Sequence, residues 1–301
     1  MLLVLFWLLI FDTLSNLLYT INMKEIIVNQ KYDGKKLNNF LLDTFPGLSP
    51  NLFYKTLRKK DIRVNGIKIT ENVTLSAGDK VSIYLSDEQL ASHYSKLIDI
   101  VYEDDNIVIL NKPAGIEVTG ENSLSTILNF SPCHRLDRNT TGLVLFAKNE
   151  EALSILLEKF KHHEIEKHYR ATVIGIPAKT KSTLVAYLFK DAKKSLVYIS
   201  DVPKKGYEKI VTSYQVISIN KKQNTSILDV TLHTGKTHQI RAHLAHIGHP
   251  IVGDGKYGNN EINKKLGYKT QQLCSYSLTF AFQTDSGILS YLKNKQISLK
   301  S

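Results

Sequence analysis

Cysteine is nearly absent. Cys133 and Cys274 are the only two in 301 residues, too few for a disulfide-stapled fold and without the paired spacing of a zinc site. Long apolar runs are confined to the first 22 residues. No G-x-x-x-x-G-K-[ST], no G-x-G-x-x-G after a strand, no H-E-x-x-H and no G-x-S-x-G occurs, so the commonest nucleotide-binding, zinc-protease and serine-hydrolase signatures are missing. Neither a collagen repeat nor sustained heptads appear. Acidic residues fall short of basic ones, 28 against 39, for a net charge of +11 and a pI near 9.3. That imbalance points to a polyanionic partner, most simply nucleic acid. Arginine is scarce within the basic set: Arg58, Arg63, Arg135, Arg138, Arg170 and Arg241 are all there is. A guanidinium offers a planar fork that lysine cannot copy, so the places where arginine persists are candidates for specific contacts. Hydrophobic residues at 43% and charged residues at 22% describe an ordinary globular chain, and the length suggests two domains.

Residues 1–22 (MLLVLFWLLIFDTLSNLLYTIN) are apolar, but Asp12 interrupts them after 11 residues. That is short of the roughly 20 a spanning helix needs, and neither a basic n-region nor a small-residue cleavage site marks a signal peptide. Met23, where the chain turns polar, is the expected true first residue; a genuine hydrophobic anchor is the alternative.

Residues 34–86 read as a small basic module. Leu37, Phe40, Leu41 and Phe45 fall at helical spacing. Ser49-Pro50 suits an N-cap and first helical position, opening a helix over 51–60 with Phe53 and Leu57 on one face and Lys55, Arg58 and Lys59 on another. Asn65-Gly66 between alternating apolar residues signals a hairpin, and residues 81–85 add a strand. From Lys31 to Lys68 there are nine bases and three acids. Lys55, Arg58, Lys59, Lys60 and Arg63 are the candidate phosphate contacts; charge alone fits a solvated helix face equally well. Residues 87–96 read as a polar linker.

Residues 97–291 read as one α+β domain around a largely antiparallel sheet. Strands are expected on both sides of a turn at 103–106, at 141–148 (apolar throughout, hence buried on both faces), at 169–174, 210–219 and 226–232. A helix over 149–162 is expected to carry Leu153, Leu156, Leu157 and Phe160 on one face, and another spans 237–247, closed by Gly248.

Two polar clusters stand out. In His134-Arg135-Leu136-Asp137-Arg138, one carboxylate sits among cations that favour its ionised form, ready to act as nucleophile or base; a surface ion pair accounts for the same residues. In the 232–243 stretch, Arg241 lies one turn beyond His238, so both can enter one cleft, with Arg241 a candidate partner for Asp137. Lys236 precedes them. A polar helix face is the alternative. The histidines at 238, 243, 246 and 249 lack an interleaved carboxylate at metal-ligand spacing, so no metal is expected. The Gly-rich 253–258 stretch reads as a structural loop. Tyr169 is either a base-stacking ring or a core tyrosine.

The order of these segments resembles the RluA-type pseudouridine synthases. The segments are VYEDDNIVILNKPAGIEV, HRLDRNTTGLVLFAKN, KHYRA, LHTGKTHQIRAHLAHIGHPIVGDGKYG and LCSYSLTF. The 37–69 segment, with GDKVSIYL, resembles the S-four RNA-binding domain. The resemblance implies a pseudouridine synthase-type catalytic domain with a mainly antiparallel mixed sheet, preceded by a small α/β RNA-binding module. It implies isomerisation of uridine to pseudouridine in structured RNA without a cofactor. Large-subunit ribosomal RNA is the expected substrate, with transfer RNA as the other candidate. By position, Asp137 falls on the family's essential aspartate, Arg241 on its arginine partner, Tyr169 on the tyrosine that packs on the target base, and Arg135 on the arginine that fills the space of a flipped-out uridine. His134, Arg138, Lys236 and His238 are expected around the substrate. Lys236 stands where many members have arginine, and Asn139-Thr140-Thr141 replaces a commoner D-T-S. A cytoplasmic monomer without membrane contact is expected.

Overall fold

The structure is a computed structural model that describes residues 22–45, 48–85, 99–120 and 123–300. The apolar leader up to residue 21 and the expected linker over 87–96 lie outside the described residues. The chain divides into two compact units, residues 1–97 and 98–301. Among the described residues, no helix is long and apolar enough to cross a membrane.

In the first unit, strands β1 (Asn22–Ile27), β2 (Ile62–Val64), β3 (Ile67–Lys68) and β4 (Lys80–Leu85) form an antiparallel sheet in the order β1-β4-β2-β3. Helices α1 (Leu37–Thr44) and α2 (Pro50–Arg58) pack Leu37, Phe40, Leu41, Phe53 and Leu57 into its core. The expected punctuation is in place. The Ser49 hydroxyl accepts the Leu52 N–H at 3.1 Å. Asn65 and Gly66 take φ of 51° and 79°, the left-handed pair of a tight hairpin. The sheet begins upstream of residue 34, because β1 pairs with β4 along its whole length.

The second unit is built on an eleven-stranded sheet. Its strands are β5 (Asp99–Glu103), β6 (Ile107–Lys112), β7 (Ser131–Pro132), β8 (Thr141–Ala147), β9 (Ile165–Ile174), β10 (Lys181–Asp191), β11 (Leu196–Ser200), β12 (Glu208–Asn220), β13 (Thr225–Leu232), β14 (Leu273–Phe280) and β15 (Gln296–Ser298). The order is β11-β10-β12-β13-β9-β14-β8-β6-β5, with β15 on β14 and β7 on β8. The β14–β8 pair is parallel and the other pairs are antiparallel. Helices α3 (Leu124–Leu128), α4 (Glu150–Lys161), α5 (Gln239–His246) and α6 (Asn260–Lys265) complete it. This is the mixed, mainly antiparallel α+β arrangement the sequence implies. As the unbroken apolar run requires, β8 is buried from Gly142 to Ala147.

Helix α4 departs from the pattern reading at one position. Leu156 is buried and Leu153 and Phe160 pack against the core as expected, but Leu157 is 47% exposed, while Ala152 and Lys159 are buried. The burial of Lys159 rests on polar contacts that apolar periodicity does not register. The Lys159 ammonium is buried and donates to Glu164 Oε2 at 2.9 Å and to the Thr284 carbonyl at 2.8 Å. A charge so satisfied can occupy a core position.

The register across three strands places the cleft. Tyr169 on β9 lies opposite Ser275 on β14, and Ser275 opposite Gly142 on β8. Gly142 takes φ +104°, and a Cβ there would stand 2.1 Å from the Ser275 carbonyl oxygen. Only glycine fits the β8–β14 joint. Gly142→Ala is therefore expected to lower the melting midpoint of the protein by more than about 5 °C, through both the strained backbone and the clash; differential scanning calorimetry checks it.

Candidate active site

An open cleft in the second unit is lined by residues 117–119, 133–138, 165–169 and 231–241. It brings together both polar clusters singled out in the sequence. Asp137 sits in the loop between β7 and β8, its side chain 26% exposed. Arg241 rises from α5, which packs under the far end of the sheet through Ala242 against Ala186, Leu188, Val197 and Ile210. The guanidinium is spread over two carboxylates. Nη1 donates to Asp137 Oδ2 at 2.7 Å, while Nε and Nη2 donate to Asp254 Oδ2 and Oδ1 at 2.7 and 3.0 Å. A fork bound at three points has no freedom to turn. The Oδ1 of Asp137 accepts no hydrogen bond among the described residues.

Asp254 was not among the residues expected to matter; its Gly-rich stretch reads as a structural loop. It is fully buried. Burial opposes its ionisation, but the two bonds from Arg241 and the N–H groups of Lys256 and Tyr257 outweigh that, and its carboxyl is held below the usual range. Its charge also fixes the charge on Arg241: burial works against the guanidinium, and the two carboxylates more than compensate.

His238 takes φ +53° as the residue before α5. That left-handed turn aims its ring at Asp137, with Nε2 3.9 Å from Oδ2. The Tyr257 hydroxyl accepts the Val197 N–H at 3.0 Å and meets His238 Nδ1 at 2.8 Å. A proton donated by that hydroxyl to Nδ1 leaves the ring's own proton on Nε2, facing the carboxylate. Burial lowers the imidazole below its ordinary value, outweighing the pull of Asp137, and Arg241 adds to the lowering. The Tyr257 ring also lies 5.2 Å from the Arg241 guanidinium.

Lys112 is a second residue that the sequence did not single out. Its ammonium is buried at the end of β6 and donates to the carbonyls of Pro113, Ile116 and Arg138 at 2.9, 2.8 and 2.9 Å. Burial pushes it down to about 8, against the attraction of Asp137 and Glu117. It ties the residue that follows Asp137 to the 113–116 loop. Arg138 adds a rung through Nε to the Gly115 carbonyl at 2.9 Å, so its Nε braces the loop.

The other expected site residues are placed as follows. Tyr169 is buried, and burial pushes its phenol well up, so the hydroxyl stays protonated. Arg135 is exposed at the cleft, and its side chain makes no hydrogen bond or ion pair among the described residues. His134 lines the wall; its Nε2 accepts the Leu145 N–H at 3.2 Å, and burial drives it down to about 3. Lys236 is paired with Glu208. The remaining histidines of the α5 region are dispersed onto separate partners: His243 to Thr212, His246 to Asp201, His249 to the Ile174 carbonyl. On the first unit, Lys55, Arg58, Lys59 and Lys60 are exposed at the end of α2, and the Arg63 guanidinium lies 5.5 Å from the Tyr84 ring.

Asp254→Asn leaves Arg241 buried with one carboxylate, at an expected cost of about 3–5 kcal/mol near pH 7. The folded carboxyl titrates below its unfolded value of about 3.9, so the stability tied to it is present above that pH and lost as pH falls through the lower folded value. The gap between wild type and variant should thus be wide at neutral pH and narrow below about pH 4, as read by unfolding midpoints across that range.

Residues 106–246 match the family model described as RNA pseudouridylate synthase. The ribosomal large subunit pseudouridine synthase C of Haemophilus influenzae is 31% identical over 285 residues, covering 86% of this chain and 87% of that protein. Its Escherichia coli namesake is 32% identical over 269 residues, covering 82% and 83%. Among solved structures, human RNA pseudouridylate synthase domain containing 4 superposes with a TM-score of 0.57 at 23% identity, covering 70% of this chain and 90% of that one, which supports the fold. A guanidinium-clamped aspartate, a buried tyrosine one strand away and relatives at this identity along most of the chain lead to one conclusion: the chain belongs to the RluA-type RNA pseudouridine synthases.

Proposed function

We propose that this enzyme isomerises specific uridines in large-subunit ribosomal RNA, that Asp137 is the carboxylate that acts on the nucleoside, and that no cofactor takes part. The observation that carries the reading is the Asp137–Arg241 contact of 2.7 Å, with Asp137 still 26% open to the cleft. The guanidinium holds one carboxylate oxygen and the charge, and the other oxygen is left for the substrate. The relatives named for ribosomal large-subunit modification support the substrate class.

The reaction keeps every heavy atom of the nucleoside. The bond from the sugar C1′ to uracil N1 breaks, the base turns, and a bond from C1′ to C5 forms. C5 gives up its proton and N1 gains one. No electron or group comes from outside, so fixed charges and a shaped pocket are sufficient. A uridine in folded RNA must leave its stack first. Arg135, exposed and unpaired at the cleft, supplies a planar group to take its place. Tyr169 offers its ring to the flipped base. His238 and Arg241 hold Asp137 from one side, and Lys112 fixes the loop that carries it from the other. His134 shapes the wall, Arg138 adds positive charge near the path of the phosphates, and Lys236 lines the cleft as an ion pair with Glu208 that a phosphate would have to displace. The S-four-like module, with Lys55, Arg58, Lys59, Lys60 and Arg63, adds a second, sequence-independent grip on the backbone.

The test is tritium release from RNA labelled at uridine C5, with ribosomal and transfer RNA run separately and a chelator present throughout. Wild type is expected to release tritium from ribosomal RNA. Asp137→Asn is expected to release none while binding RNA within about threefold of wild type, since the substitution removes charge but little contact area. Loss of binding in step with activity would sink the assignment of Asp137.

A further inference from the structure

The β10–β11 hairpin presents apolar residues on both of its faces. One face is spent: Leu188 and Val197 pack against Ala242 of α5 in the core. The other is not. Phe189 and Tyr198 are directly paired across the two strands, so their rings stand on the same side. They are 38% and 41% exposed. Tyr207, in the loop leading to β12, stacks on Phe189 with ring centres 5.4 Å apart and planes 28° from parallel. Gly206 brings the loop backbone against the same ring, its missing Cβ only 3.8 Å from Phe189. Scattered exposed apolar residues are normal on a surface; a built row of three rings is not.

Charge surrounds the row. Residues 179–209 hold eight lysines against Asp191, Asp201 and Glu208. Asp201 is taken by His246 and Glu208 by Lys236. Lys190, Lys193, Lys194 and Lys204 are exposed and make no ion pair among the described residues. The Lys204 ammonium lies 5.8 Å from the Tyr207 ring centre. Open ring faces beside unneutralised ammonium groups are the chemistry that holds a single nucleic-acid strand: bases stack and phosphates pair, with little regard to sequence. A second copy of the chain would bring like charge to like charge. One stretch of chain links the row to the cleft: Tyr207 is followed by Glu208, which opens β12 and pairs with Lys236 of the cleft wall.

We propose that this hairpin and the loop after it form a further RNA contact, in addition to the cleft and the S-four-like module. Unpaired bases flanking the target uridine stack on Phe189 and Tyr198, and Lys193, Lys194 and Lys204 meet their phosphates. The inference rests on RNA as the substrate, and its test separates the two readings. Full-length wild type, Tyr198→Ala, Tyr198→Phe and the Lys193→Ala/Lys194→Ala double variant are titrated with a short unstructured RNA by fluorescence anisotropy over a range of salt. The kcat and KM for tritium release from protein-free ribosomal RNA are measured in parallel, and melting midpoints confirm folding. Tyr198→Ala is expected to weaken binding by about tenfold and Tyr198→Phe to leave it unchanged, because the ring face and not the hydroxyl makes the contact. The double lysine variant is expected to lower the slope of log affinity against log salt by about 1.4. All variants should keep the wild-type kcat at saturating RNA, with KM raised in Tyr198→Ala and the lysine variant. Wild-type affinity and salt slope in both of those variants overturn the proposal. So does loss of a dimer in Tyr198→Ala with RNA affinity unchanged, which assigns the face to a second copy. A failure of wild type to release tritium bears instead on the uridine reaction, since the anisotropy signal needs no turnover.

Discussion

One guanidinium carries the arrangement of the cleft. Arg241 is almost wholly buried, and a buried cation survives only when its hydrogen-bonding capacity is met. Asp254, inaccessible to solvent, takes two of its N–H groups and fixes the plane of the fork. The remaining Nη1 then points to one place, and Asp137 occupies it. The division of labour is set by exposure. The carboxylate that water cannot reach holds the arginine, and the one at the cleft is free at its second oxygen. Neither could exchange roles without moving the helix.

The scaffold supplies that geometry from opposite directions. Helix α5 is anchored under β10, β11 and β12, so Arg241 and His238 arrive from the far end of the sheet. The loop carrying Asp137 arrives from β7 and β8, and Lys112 locks its backbone by filling three carbonyls with one ammonium. A lysine in that position is a point charge with three donors, suited to carbonyls that converge from different segments. The same cation sits close enough to Asp137 to add to the positive field around it. His238 depends on a backbone conformation that side chains rarely adopt, and its hydrogen bond to Tyr257 accompanies that strain.

Much of this was legible in the residues. Ser49-Pro50, Asn65-Gly66 and the apolar run of β8 each encode local geometry, and each produced the expected element. The Asp137–Arg241 pairing was legible from residue type, since a carboxylate in a cationic loop and an arginine on a polar helix face are complementary. What escaped was polar and non-local. Asp254 lies between two glycines, where an acid reads as turn chemistry. Lys112 opens a Lys-Pro-Ala-Gly turn, where a lysine reads as surface. Lys159 sits at a core position of α4 because Glu164 and Thr284 receive it. Periodicity cannot weigh a buried ion pair against a leucine, so the face of that helix was misjudged at Leu157. Strands β10, β11 and β14 were likewise unforeseen, because their pairing is decided by tertiary contacts more than by propensity.

The position of β14 has a consequence for how the protein comes into being. Asp137, Tyr169 and Arg241 have all been made once residue 246 is in place, yet the strand that separates β8 from β9 spans residues 273–280. Until that late segment is delivered, the β7–β8 side that carries Asp137 has no strand to join it to the side that carries Tyr169 and anchors Arg241. Joining partners more than a hundred residues apart is a slow, entropically costly closure. A nascent chain therefore holds Asp137, Tyr169 and Arg241 before it holds a site, and the two sides of the cleft are joined only once residues 273–280 are available to pair.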